Sequence, residues 1–73
     1  MIKVTGKVEY RAIALGAWAL VSQEGKTYEL QNSPPELQKD GLSVEVEGIV
    51  KEGIMTISMI GQVLEVRSFK ILN

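Results

Sequence analysis

The segment Trp18-Ala19-Leu20-Val21-Ser22-Gln23-Glu24-Gly25-Lys26-Thr27-Tyr28-Glu29-Leu30 admits few backbone solutions. With Gln23, Glu24 and Gly25 as a three-residue hairpin loop, Ser22 faces Lys26, Leu20 faces Tyr28 and Trp18 faces Leu30. All the large apolar residues then share one face, and Gly25 falls on the loop position that needs a left-handed backbone. A two-residue turn at Glu24-Gly25 sets Leu20 against Glu29 and scatters that face. The apolar register therefore selects the turn, and the segment is expected to form a half-buried β-hairpin.

Strand periodicity extends over most of the remaining chain. Ile2, Val4, Val8 and Tyr10 alternate with Lys3, Thr5, Lys7, Glu9 and Arg11, the period of a strand with one wet face. Gly6 interrupts the apolar side, where a bulge or sharp coil lets one strand serve two halves of a closed sheet. Neither proline of Asn32-Ser33-Pro34-Pro35 can donate to a ladder, so pairing stops there. A single helical turn is expected over Pro34 to Gln38 with Ser33 as its cap, and Asp40-Gly41 turns the chain into the next strand.

Leu42, Val44, Val46 and Val50 alternate with Ser43, Glu45, Glu47 and Ile49. A turn at Glu52-Gly53 pairs Val50 with Met55 and Val46 with Met59, apolar against apolar. A further turn at Gly61-Gln62 pairs Met59 with Leu64 and Ile57 with Val66. Beyond Val66 the apolar phase shifts to Phe69 and Ile71, which places a bulge near Arg67 or Ser68.

These elements predict an all-β chain: a small antiparallel barrel of five to six strands, with a single helical turn between strands three and four. Closure removes the exposed edges that invite aggregation. The order of long strand, hairpin, helical turn, then Leu42-Ser43-Val44-Glu45-Val46-Glu47-Gly48-Ile49-Val50 and a terminal strand ending Phe69-Lys70-Ile71-Leu72 resembles the OB-fold family. Gly48 after the alternating valine strand and the apolar closing strand carry that resemblance. An SH3-like barrel also fits the pattern. OB-folds bind oligonucleotides, oligosaccharides or other proteins, so the resemblance implies a binding role.

Seventy-three residues make one small domain, read as residues 1–73, and 45% apolar content is enough to build a core. With no cysteine and no histidine, the usual nucleophile, general base and transition-metal ligands are absent, and no enzyme, cofactor or metal is expected. Glu45, Glu47 and Glu65 on a flat sheet lack the folded loop that gives calcium its oxygens, and read as a solvated surface. Lys3, Lys7 and Arg11 precede the ten-residue apolar run Ala12 to Val21 in the manner of a signal peptide. The small-x-small site Ala17-Trp18-Ala19 lies inside that run rather than after it, and ten residues fall short of the about 20 that span a bilayer. A cytoplasmic chain is expected. A helix over residues 12 to 21 is the rival to the first hairpin strand, interrupted by Gly16.

Two functional readings follow. The first is a non-enzymatic interaction module that self-associates or binds a partner protein. It is motivated by Ile49, Ile60 and Val63, with Ala17, Ala19 and Val21, on faces assigned to solvent and by a mean hydropathy of +0.09. The second is an OB-type binder of single-stranded nucleic acid using Trp18, Tyr28, Lys3, Lys7, Arg11 and Lys26. A net charge of -1 and a pI near 5.3 give no global attraction to phosphate, and Lys3, Lys7 and Arg11 are expected to pair across strands with Glu45 and Glu47. Trp18 and Tyr28 are expected in the core. The interaction module ranks first.

Overall fold

In the computed structural model, which describes residues 1–12, 16–51 and 61–72, five strands close into a barrel. They are β1 (Ile2–Arg11), β2 (Ala17–Ser22), β3 (Thr27–Gln31), β4 (Ser43–Lys51) and β5 (Gln62–Ile71), with one 3-10 turn at Pro35–Leu37. The order around the barrel is β1-β2-β3-β5-β4, closed by the pairing of β4 with β1. This small closed five-stranded barrel is consistent with an OB-like fold. Four contacts are antiparallel as expected, whereas β3 and β5 run parallel, Leu30 beside Leu64. The crossover through the 3-10 turn and β4 is what lets β5 return beside β3 in the same direction.

The β2–β3 hairpin has the register that its apolar residues require. Leu20 lies opposite Tyr28 and Val21 opposite Thr27, while the Ser22 N–H donates to the Lys26 carbonyl at 2.8 Å. The Gly25 N–H closes the turn on the Ser22 carbonyl at 2.9 Å, and Gly25 has φ +87° with open space around it. The Ser22 hydroxyl adds a further acceptor for the Lys26 N–H at 3.0 Å. Gly25→Val puts a β-branched residue into this left-handed position and should cost about 1–2 kcal/mol in a urea melt. An unchanged midpoint would contradict the turn.

Gly6 is where β1 changes partners. Its ladder with β2 covers Gly6 to Arg11 and its ladder with β4 covers Ile2 to Lys7, so Gly6 faces Ser22 on one side and Val44 on the other. A Cβ at Gly6 would land on the Val21 carbonyl oxygen. Gly48 does the same on β4, its missing Cβ directed at the Glu65 carbonyl oxygen. The β4–β5 register shifts beside it: Glu47 pairs with Ser68 and Gly48 with Val66, leaving Arg67 as the extra residue of a bulge. The phase change seen in the sequence is this bulge.

The interior joins every element: Val4 and Val8 from β1, Leu20 from β2, Tyr28 and Leu30 from β3, Val44 and Val46 from β4, Leu64 from β5 and Leu37 from the 3-10 turn. Trp18 is half-buried against this cluster. The 3-10 turn has Pro34 at its N-cap with no side-chain cap, which corrects the expected role of Ser33. Ser33 instead accepts from the Gln38 side chain through its carbonyl oxygen at 3.2 Å. Residues 17–21, offered to a helix as well as a strand, form β2. Met55, Ile57, Met59 and the turn at Glu52-Gly53 lie outside the described residues. The pairing of Val46 with Met59 gives way to other partners, because Val46 is flanked by Val4 and Phe69. Leu64, expected beside Met59, is likewise flanked by Leu30 and Val50. Among the described residues no helix is long and apolar enough to cross a membrane.

Candidate binding site at the open end of the barrel

Lys3 and Lys7 project from the exposed outer face of β1, and Arg11 follows on the same face. The register sets Lys3 opposite Glu47 and Thr5 opposite Glu45, as the expected cross-strand pairing requires. The ion pairs among the described residues form elsewhere, however: Arg11 with Glu9 at 3.1 Å, and Glu65 with both Arg67 at 3.2 Å and Lys51 at 3.4 Å. Glu47 is turned toward β5, where its Oε1 accepts from the Ser68 hydroxyl at 3.3 Å. Glu65 closes a local network at the bulge. Its Oε2 accepts from the Asn32 amide at 3.2 Å, while its buried Oε1 lies between the two cations without a hydrogen bond. Asn32, with φ +60°, supplies that amide from the left-handed position that ends β3.

The aromatic residues offered to nucleic acid point into or along the barrel interior. Tyr28 is only 6% exposed and belongs to the core. Trp18 stands edge-on to Tyr10, ring centroids 5.1 Å apart and planes at 63°. The Lys26 ammonium sits 5.4 Å from the Tyr28 ring centroid, at the exposed start of the hairpin's second strand.

The residues offered as a protein interface fare unequally. Val63, assigned to solvent, is 3% exposed, and Ala19 is fully buried; both assignments are corrected. Neither belongs to the interior cluster. They lie in the outward row Glu9, Ala19, Glu29, Val63, Lys51, each between charged residues of the neighbouring strands. Ile49 is half-buried beside Glu65, and Ile60 lies outside the described residues. Among the described residues the exposed large apolar ones are instead Met1, Ile2, Tyr10, Ile71 and Leu72.

A shaped site lies among residues that the sequence does not group together. Where β1 leaves β2 at Gly6, a cavity of about 410 Å³ opens between the first half of β1 and the β2–β3 hairpin. Ile2, Lys3, Val4 and Thr5 line one side, and Ser22, Gln23, Glu24 and Tyr28 line the other. Leu37 fills the interior from the crossover, so the barrel is plugged by that turn and open here.

The backbone of this half-strand is paired on one side. Val8 shows the alternation: its N–H donates to Leu42 at 2.8 Å and its carbonyl accepts from Gly41 at 2.7 Å, so even-numbered groups face the β4 side. Odd-numbered groups face the other way, and the Thr5 carbonyl accepts from the Gln23 N–H at 3.0 Å. The Lys3 N–H and carbonyl and the Thr5 N–H therefore point across the cavity, and no strand among the described residues pairs with them there. The signal for this edge was present in Gly6: a strand that serves two sheets must leave the first before it ends.

Comparison with protein-family models, with curated proteins and with solved structures finds no match to this chain.

Proposed function

We propose that this chain is a non-enzymatic binding module that takes an extended polypeptide rather than a nucleic acid. The half-paired first strand carries this reading: backbone donors and an acceptor that no strand among the described residues pairs with stand beside a cavity large enough for side chains. The OB-like architecture supports a binding role in general without choosing the ligand. Nucleic-acid binding by stacking needs exposed rings, and Tyr28 contributes to the core instead. The basic residues of β1 also share their outer face with Glu9, already paired to Arg11. Burial of Val63 and Ala19 removes two of the six residues that motivated self-association through a sheet face, which favours a separate partner protein over a second copy.

Two titrations test the proposal. A single-stranded oligonucleotide at low salt should give a flat curve. Panning a displayed library of unstructured peptides on the intact chain should enrich binders. Micromolar oligonucleotide binding that falls steeply with added salt, with no peptide enriched, would reverse the assignment. Tyr28→Ala is unsuited to that comparison: truncating so buried a ring should cost about 3–5 kcal/mol of stability whatever the ligand.

A further inference from the structure

Resting on that reading, the geometry points to a specific partner chemistry: we infer that the open edge of β1 takes an extended segment of another protein that sets an acidic residue opposite Lys3 and an apolar residue beside it against Ile2. Strand addition gives affinity through main-chain hydrogen bonds and specificity through alternate side chains. A segment pairing with the Lys3 N–H and carbonyl puts its residue opposite Lys3 on the outer face and the neighbouring residues over the cavity. The outer position meets an exposed ammonium, which selects a carboxylate. Of the inner apolar residues Ile2 is exposed and selects an apolar side chain, whereas Val4 and Tyr28 lie buried beneath the cavity wall. Glu24, at the loop side of the cavity, opposes a second carboxylate there.

The chain already contains a match for this edge. On the opposite side of the same half-strand, Val46 lies against Val4 and Glu47 against Lys3, so the sequence of residues 43–48 is complementary to β1 in both apolar and charge pattern. A second copy of β1 is a poor occupant. Two-fold antiparallel pairing centred on Lys3 sets Lys3 against Lys3, like charge against like charge. Shifting the centre to Val4 calls on the Thr5 carbonyl, which already accepts from Gln23.

The test uses the whole chain and a capped peptide with the sequence of residues 43–48, followed by NMR. The peptide should shift the amides of Lys3, Thr5 and Gln23 and slow hydrogen exchange at Lys3 and Thr5. Lys3→Pro removes an N–H that faces the cavity and leaves the β4-facing groups in place, and should weaken binding about tenfold. Lys3→Glu should weaken it at least about threefold and restore it toward a peptide carrying lysine in place of glutamate. That charge exchange keeps the inference testable if the proline variant fails to fold. Shifts confined to the outer face of β2 and β3, or equal binding by wild type and both Lys3 variants, would overturn it. If this peptide fails while the displayed library yields binders that ignore Lys3, the edge is wrong and the module reading stands. If neither binds, both fall.

Discussion

Gly6→Ala should destabilise the chain by about 3 kcal/mol or more, because one methyl group would be driven into the backbone of the neighbouring strand. The missing Cβ points at the Val21 carbonyl oxygen and lies 2.8 Å from the Ser22 Cα, so a rigid strand rather than a flexible side chain must give way. Overpacking of this kind costs about 1–3 kcal/mol and occasionally more. Here the displaced backbone also carries the ladder between β1 and β2, so the upper end of that range is expected. In a domain of this size such a loss corresponds to a fall in Tm of about 12–24 °C. Gly25→Ala is the control, since Gly25 has φ +87° but a Cβ there would meet nothing within 4 Å beyond its chain neighbours. It should cost only about 1 kcal/mol, from backbone conformation alone. A Gly6→Ala protein that melts within a few degrees of wild type would mean that β1 does not pass this close to β2.

Leu37→Ala is the second large effect. Leu37 is fully buried although it sits in a three-residue turn: its N–H donates to the Pro34 carbonyl at 2.9 Å, and its side chain belongs to the interior cluster of the barrel. Truncation should cost about 2–5 kcal/mol, the range for a buried leucine whose cavity cannot collapse. It should also expose apolar surface to dyes such as ANS well below the melting transition. Leu37→Met, which keeps the volume, should cost less than about 1.5 kcal/mol. A loss under about 1 kcal/mol for the alanine variant would show that the turn does not plug the barrel.

Strand identity and hairpin register were legible because both depend on neighbours in sequence. The run from Trp18 to Leu30 contains its own two strands, its turn glycine and its apolar face, so burial and turn chemistry agree before any tertiary contact forms. The break at Asn32 to Pro35 and the bulge at Arg67 were visible for the same reason: proline removes a donor, and a bulge shifts the apolar phase of its own strand. Registers proposed for Val46 and Leu64 failed for a converse reason. Apolar opposite apolar is satisfied by many partners in a valine-rich chain, and only closure decided that Val46 stands between Val4 and Phe69.

The open site is a tertiary product. Gly6 announced that one strand would serve two sheets, yet whether its free half lay bare or covered depended on where β2 ended and β4 docked. Val63 shows the limit from the other side, since alternation placed it outward while the folded chain leaves it 3% exposed. By itself the sequence determined the all-β class, the hairpin, the position of the helical turn and the absence of cysteine and histidine chemistry, all set by local stereochemistry and residue type. The parallel contact of β3 with β5, the plugging of the barrel by Leu37 and the cavity beside Lys3 were decided only by the closed sheet, because they join residues that the chain holds far apart.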